Sequence, residues 1–150
     1  MDREKVLYKE IDLIQGCINR MAKNSFVIKG WVMSLVAVVL ALLPQTFDIR
    51  LLSAIGIIVS LCFYFLDAYF LKMERMYRWK YEWVIEKRLS TDDYFFDLNP
   101  LNRNMWLEKR KKKGEPKVID VMISKTLIPI YLPIVLLCVL VFINSFIHWI

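Results

Sequence analysis

The sequence predicts an all-α integral membrane protein: an antiparallel hairpin of transmembrane helices, extended into the cytoplasm, followed by a third, C-terminal span. The 150-residue chain is 57% hydrophobic yet carries a formal net charge of +6. Its apolar residues are concentrated in three blocks, whereas a soluble helical bundle would spread them with a helical period. The charged segments between the blocks keep helix-forming residues, which favours helices throughout.

Five segments are expected from the positions of these blocks. They are a cytosolic amphipathic helix (1–25), transmembrane helix 1 (26–44), transmembrane helix 2 (51–71), a cytosolic helical basic region (72–125) and a third helix that either spans or re-enters the membrane (126–150). The first 23 residues include nine charged ones and no apolar core. We therefore expect no secretory signal peptide.

The second apolar block starts the longest predicted helix. Residues 51–71 contain one ionisable side chain, Asp67, and no proline, so this stretch is long enough to span a bilayer. The charged sequence that follows has no glycine or proline before Pro100. We therefore predict one continuous helix from Leu51 to about Leu89.

The first helix is predicted from a stripe of apolar residues at spacings of four and three. The stripe consists of Leu7, Ile11, Ile14, Ile18 and Met21. Pro44 is expected to end the span that follows, and Lys29 lies one turn inside it, where its ammonium can reach the headgroups. The short loop at 44–50 makes the first two spans an antiparallel hairpin.

The third block has no formal charge between Leu127 and Ile150. Pro129 and Pro133 are expected to distort or delay its helix. His148 and Trp149 then fall at the far membrane interface, where tryptophan is enriched.

The distribution of lysine and arginine predicts the orientation. Residues 1–25 hold five, the loop at 44–50 holds one, and residues 72–125 hold fourteen. Basic residues accumulate on the cytoplasmic side of a membrane, which places the N-terminus and the middle region in the cytoplasm.

Folding the hairpin about residue 47 pairs positions whose numbers sum to roughly 95. Lys29 then lies at the level of Asp67, and Arg20 with Lys23 faces Glu74. The same rule lays the N-terminal stripe beside a face of the second helix formed by Tyr77, Tyr81 and Val84.

A second apolar face of that helix is adjacent to the first, and the two together exceed what one neighbour requires. We expect the extra face to contact either the lipid interface or another copy of the protein. The residues expected to mediate self-association are Leu7, Ile11, Ile14, Ile18, Met76, Trp79 and Trp83.

The region from 90 to 125 is less regular. Ser90 or Thr91 is expected to cap a short helix through residues 94–96, and Asn99-Pro100 is expected to form a turn. Residues 101–113 are predicted to be helical, up to a break at Gly114-Glu115-Pro116.

Asp67 is the strongest candidate for a functional residue, because ionisable side chains within spans are uncommon and often functional. It lies roughly 24 Å along the helix from Leu51, near the inner headgroups. A structural ion pair with Lys29 or Lys72 and a role in gating or ion passage both remain open.

The strongest charge run is expected to contact anionic lipid. It comprises Lys109, Arg110, Lys111, Lys112, Lys113 and Lys117. A nucleic-acid site is the alternative, with Trp106 and Phe95 stacking on bases.

No enzyme, metal or cofactor site is expected. His148 is the only histidine, and the chain has no glycine-rich phosphate loop and no metal-ligand spacing. The cysteines Cys17, Cys62 and Cys138 are widely separated, and we expect them to be structural.

Two segments, RMAKNSFVIKGW at Arg20–Trp31 and LDAYFLKMER at Leu66–Arg75, resemble segments of small helical membrane proteins that accompany bacterial antiviral systems. The resemblance is to the membrane accessory protein of type VI CRISPR loci. The matching positions are Asn24, Ser25, Lys29, Asp67, Tyr69, Glu74 and Arg75. They are expected to form polar contacts, which either line the inner mouth of a pore or are purely structural.

The resemblance implies a homo-oligomer that alters membrane permeability when a cytosolic immune ribonucleoprotein, or its product, signals. A non-conducting membrane anchor that recruits a cytosolic protein or RNA, through Trp79, Trp83 and the basic run, is the first alternative. A holin-like toxin, which would kill cells without a trigger, is the second.

Overall fold

The computed structural model describes residues 2–42 and 48–147, and 80% of these residues are helical. No strand occurs among them, which confirms the all-α prediction. The elements in chain order are α1 (Arg3–Leu42), α2 (Ile49–Lys87), a 3₁₀ turn (Arg103–Met105), α3 (Glu108–Lys113), α4 (Val118–Met122) and α5 (Ile128–Ile147).

Three of the described helices, α1, α2 and α5, are long and apolar enough to cross a membrane. α2 starts and ends within two residues of the predicted helix, which confirms that the apolar and charged halves form one element. α1 is likewise one helix of 40 residues, so the expected boundary at residue 25 lies inside it. Pro44, His148 and Trp149 lie outside the described residues.

The chain divides into two compact units. The polar unit comprises the described parts of Met1–Asn24 and Phe70–Lys117, and the apolar unit comprises those of Ser25–Tyr69 and Val118–Ile150. Each unit contains part of α1 and part of α2, because these two helices are continuous across the division.

The core of the polar unit forms where the N-terminal stripe of α1 packs against α2. The buried cluster is Ile14, Trp83, Val84, Met105 and Leu107, and around it pack Leu7, Ile11, Ile18, Tyr77, Tyr81 and Leu98. The predicted pairing of the stripe with the Tyr77 face of α2 is therefore confirmed.

The second apolar face of α2 is covered by the chain itself, which corrects the expected contact with lipid or another copy. Met76 and Trp79 form a buried cluster with Trp106, whose ring meets the Trp79 ring edge-on at 5.4 Å. Met76, Trp79 and Trp83 are each at most 7% exposed. A later segment of the sequence therefore fills the place where an external partner was expected.

The segment after α2 differs from the prediction. Tyr94 and Phe96 have positive φ angles of 57° and 53°, so no helix forms there. The turn at Asn99-Pro100 is confirmed, since the Asn102 N–H donates to the Asn99 carbonyl at 3.3 Å.

The helix predicted over 101–113 is interrupted. Trp106 and Leu107 are extended, between the 3₁₀ turn and α3. Gly114 ends α3 with a φ of 73°, which a glycine adopts without strain.

In the apolar unit, α5 begins at Ile128 without the delay expected from its prolines. Pro129 lies in the first turn, where its missing N–H would have no helical partner, and Pro133 lies inside the helix. α2 and α5 pack closely at Gly56, where a Cβ built on the glycine would lie 3.4 Å from Cys138 Sγ, at ordinary van der Waals distance.

Candidate functional site

A buried carboxylate lies at the centre of the polar contacts in the apolar unit. Asp67 is fully buried and accepts hydrogen bonds from Ser25 Oγ at 2.5 Å and from Tyr131 Oη at 2.9 Å. Lys29 Nζ lies 2.7 Å from Asp67 Oδ2 and donates to Ser25 Oγ at 2.6 Å. We call these four residues the Asp67 cluster.

The helices bring the cluster together because of simple spacing. Ser25 and Lys29 are four residues apart on α1 and therefore share a face. Asp67 lies on α2 and Tyr131 near the start of α5, so one carboxylate joins all three apolar helices. The sequence left Lys29 and Lys72 open as partners of Asp67, and the structure pairs Lys29 with Asp67, whereas Lys72 pairs with Glu115.

The electrostatics of the cluster explain how a charge is accommodated there. A carboxylate removed from water is costly unless it is paired and hydrogen-bonded. Asp67 receives one ammonium and two hydroxyl donors, which offset that cost. The Lys29 side chain remains 21% exposed, so the cation, unlike the carboxylate, reaches the edge of the unit.

Tyr131 is missing from the sequence-based set, and a neighbouring tyrosine holds it in place. The ring of Tyr64 stacks on the ring of Tyr131 at 4.7 Å, with 13° between their planes. Tyr64 Oη donates to the Met122 carbonyl at 2.6 Å. This stack orients the Tyr131 hydroxyl toward Asp67, as a tyrosine buried in an apolar helix must find a polar partner.

The other predicted contact residues lie elsewhere. Tyr69 is 43% exposed, and Asn24, Glu74 and Arg75 belong to the polar unit, where each is partly buried. The expectation that Arg20 and Lys23 face Glu74 stays a prediction. Glu74 pairs with Arg78, on its own helix, at 2.7 Å.

The polar unit contains a buried ion pair that the sequence reasoning missed. Arg88 Nε donates to Glu10 Oε2 at 2.5 Å, and neither side chain is more than 2% exposed. The Phe96 N–H donates to the same carboxylate at 2.7 Å. Arg88 also donates to the carbonyls of Thr91, Asp93 and Tyr94.

The signal for this pair was present in the sequence. Glu10 lies three residues after Leu7 and four before Ile14, on the apolar stripe, and Arg88 follows Val84 by four. The sum of their numbers is 98, close to the register sum of 95. A charged residue on a buried face at the right register indicates a partner of opposite charge.

A second buried cation lies on the same helix. Lys80 is 1% exposed, and its Nζ donates to the Asn99 carbonyl at 2.9 Å and lies 3.3 Å from Asp97 Oδ1. Burial lowers the pKa of the Lys80 ammonium, and the attraction of Asp97 opposes that shift. Lys80 thus fixes the turn at Asn99-Pro100 against α2.

The basic run consists of two kinds of side chain. Arg110 donates two hydrogen bonds to Glu82, the shorter at 2.6 Å, and its guanidinium lies 5.1 Å above the Trp79 ring. Lys111 pairs with Glu108 at 2.8 Å. Lys109 Nζ lies 3.8 Å from Glu82 Oε2. Whereas Arg110 is partly buried, all the lysines of the run are exposed: Lys109, Lys111, Lys112, Lys113 and Lys117.

Of the two aromatic residues expected to stack on bases, Trp106 is buried and Phe95 is partly buried. Trp106 is 2% exposed, and its Nε1 donates to the Pro100 carbonyl at 3.0 Å. The Phe95 ring lies 4.8 Å from the Arg88 guanidinium. The Trp106 ring is therefore closed to the base stacking that single-stranded recognition uses.

The described residues bring no three histidine, cysteine, aspartate or glutamate side chains close enough to hold a metal ion. The chain matches no protein-family model, and neither the curated proteins nor the solved structures include a significant match.

Proposed function

We propose that this chain is an oligomeric accessory protein of antiviral defence that alters the permeability of the bacterial inner membrane. The Asp67 cluster carries the permeability part of the proposal. The resemblance of Arg20–Trp31 and Leu66–Arg75 to membrane proteins of antiviral systems supports the defence part.

In the proposed mechanism the Asp67 cluster is a latch, meaning that it holds the three apolar helices together until its contacts are broken. One carboxylate holds α1, α2 and α5 through three different side chains, so the helices are joined at a single polar point. Replacing such a buried pair by apolar residues is often neutral or stabilising, so stability alone does not explain it. A buried polar contact specifies one arrangement of the helices. Breaking it leaves an unpaired charge among them, which favours the entry of water.

Several copies would form the conducting species. Large apolar side chains remain exposed on the apolar segments, among them Phe26 (77%), Trp31 (61%) and Ile58 (62%). These faces suit lipid or neighbouring copies equally well. In the assembly, Asp67 and Lys29 would lie at the inner mouth, with Glu74 nearby.

A dye-release assay on proteoliposomes tests the latch. Asp67→Asn leaves the Lys29 ammonium without a carboxylate, and we expect dye release at least tenfold faster than with the wild-type protein. Ser34→Ala is the matched control, because Ser34 Oγ donates to the Gly30 carbonyl of its own helix and takes no part in the Asp67 cluster. If neither the wild-type protein nor Asp67→Asn releases dye, the permeability proposal is wrong.

The mass of the detergent-solubilised particle, corrected for bound detergent, tests the oligomer. We expect a multiple of 17.9 kDa well above a dimer. Expression in cells with and without an antiviral ribonucleoprotein tests the trigger. Killing by the chain alone would favour the holin-like alternative over the accessory role.

The proposed orientation places the N-terminus and the middle region in the cytoplasm. A cysteine at the exposed position Tyr8, in a variant with no other cysteine, should react with a charged thiol reagent only after the cells are permeabilised. Reaction in intact cells would show that the orientation is the reverse of the proposed one.

A membrane anchor is the second candidate, and the exposed lysines of the basic run favour it. Because Trp79 and Trp83 are buried, recruitment would rely on charge alone. Changing Lys109, Lys112 and Lys113 together to Gln removes exposed charge while Arg110 keeps its bond to Glu82. If the variant loses salt-sensitive capture of RNA or protein while dye release is unchanged, the anchor is supported. If capture is unchanged, this surface is excluded as the recruitment site.

A further inference from the structure

The apolar unit encloses a cavity between its three long helices. Its volume is about 90 Å³, and it is partly open to the outside. Its lining includes Val36 from α1, Ser53, Val59 and Ser60 from α2, and Cys138 from α5. The cavity is separate from the Asp67 cluster, none of whose residues lines it.

The wall of this cavity is almost entirely apolar. Ser53 Oγ donates to the carbonyls of Ile49 and Arg50 on its own helix, at 2.7 and 3.1 Å. A buried water normally makes two to four hydrogen bonds to groups that lack other partners. An almost entirely apolar wall gives a water molecule few such partners, so the space is unfavourable for water.

The surroundings determine what fills the space. Each of the three helices is apolar enough to cross a membrane, so hydrocarbon chains are the solvent at this cavity. An alkyl chain entering the open side would make dispersion contacts that an empty cavity forfeits. We propose that the acyl chain of a bilayer lipid occupies the cavity and packs between α1, α2 and α5.

Photocrosslinking tests this occupancy. The full-length protein is reconstituted in vesicles of phosphatidylcholine that carries a diazirine in the middle of one acyl chain, and the labelled residues are mapped by mass spectrometry. We expect labels on Val36 and Cys138 inside the cavity, as well as on Leu61, which is 45% exposed on the surface of α2.

The decisive comparison is with a variant in which a larger side chain fills the cavity. Val59→Phe should reduce labelling of Val36 and Cys138 at least tenfold and leave Leu61 unchanged. The matched control is Ile58→Phe, at a position 62% exposed, which should change neither. Val36→Phe fills the same space from α1 and serves if Val59→Phe fails to fold. Cavity labels that are absent from the wild-type protein, or insensitive to both filling variants, would overturn the proposal.

A water-filled cavity is the competing outcome. In a variant that retains only Cys138, a charged methanethiosulfonate reagent should react at least a hundredfold more slowly than in the unfolded protein. A lipid-soluble maleimide should still reach the thiol. Rapid reaction with the charged reagent would identify an aqueous path and overturn the acyl-chain assignment.

Discussion

Glu10 and Arg88, 78 positions apart in the chain, form a two-bond ion pair in which neither side chain is more than 2% exposed. The same carboxylate accepts the Phe96 N–H, and the same guanidinium donates to three carbonyls of the loop that follows α2. This pair therefore joins the start of α1, the end of α2 and a loop that has no regular secondary structure. Side chains therefore satisfy backbone groups of this loop that would bond to other backbone groups in a helix or a sheet.

Removing Arg88 should unfold much of the polar unit. Arg88→Met leaves the Glu10 carboxylate buried without a cation, and we expect a loss of about 3–5 kcal/mol in the free energy of unfolding. Chemical denaturation in detergent, followed by tryptophan fluorescence, measures it. The control is Arg3→Ala, which breaks the exposed pair with Asp92 and should change stability little. Equal effects for the two variants would refute the structural role of the buried pair.

The tryptophan of the extended segment should behave as a core residue. Trp106→Ala removes a ring that is 2% exposed and its bond to the Pro100 carbonyl, and should cost about 3–5 kcal/mol. Trp31→Ala, at a position 61% exposed, should cost far less. The nucleic-acid alternative makes the opposite prediction, that Trp106→Ala weakens RNA binding and leaves stability intact.

Tyr131→Phe isolates one bond of the Asp67 cluster. The ring can keep its stack on Tyr64, and only the donor to Asp67 is lost. We expect a destabilisation of about 0.6–1.7 kcal/mol, the range for hydrogen bonds between membrane helices. Unfolding in mixed micelles provides the measurement. An unchanged midpoint would mean that Lys29 and Ser25 satisfy Asp67 without the tyrosine.

Acid should weaken the contact between α2 and α3. The hydrogen bonds from Arg110 hold the pKa of the Glu82 carboxyl below its ordinary value of 4.5. Because the folded-state pKa is lower than the unfolded one, the pair stabilises the fold above about pH 4.5, and this contribution is lost as the pH falls through the folded pKa. Arg110→Gln should flatten that part of the pH dependence of stability. A profile with the wild-type slope would contradict the assignment.

Disulfide trapping tests the helix register in the polar unit. In a variant without native cysteines, Ile18→Cys combined with Tyr77→Cys should form a crosslink, because both side chains pack on the same cluster. Ile18→Cys with Ile85→Cys, at a position 48% exposed, is the control. Preferential crosslinking of the control pair would mean that the helices pack in another register.

The helices and their register were predictable because they follow periodic patterns. Apolar blocks placed α1, α2 and α5, and folding the hairpin about residue 47 placed Lys29 at the level of Asp67. Apart from the turn at Asn99-Pro100, the loop from 88 to 107 could not be predicted in this way, because its shape depends on Arg88 and Lys80 donating to backbone carbonyls, and no periodic pattern indicates such bonds. Tyr131 was missed because a hydroxyl in an uncharged span gives no signal until its partner on another helix is known.

The positions of the partners of Asp67 in the chain set the order in which the ribosome makes them. Ser25 and Lys29 precede the carboxylate, whereas Tyr131 follows it by 64 residues. At ordinary elongation rates, about 3–13 s separate the two. The hairpin can therefore enter the bilayer with its charge already neutralised, and α5 arrives last at a preformed binding position. A ribosome stalled before Tyr131 would leave a two-helix intermediate with an incomplete polar joint, which quality-control proteases could recognise.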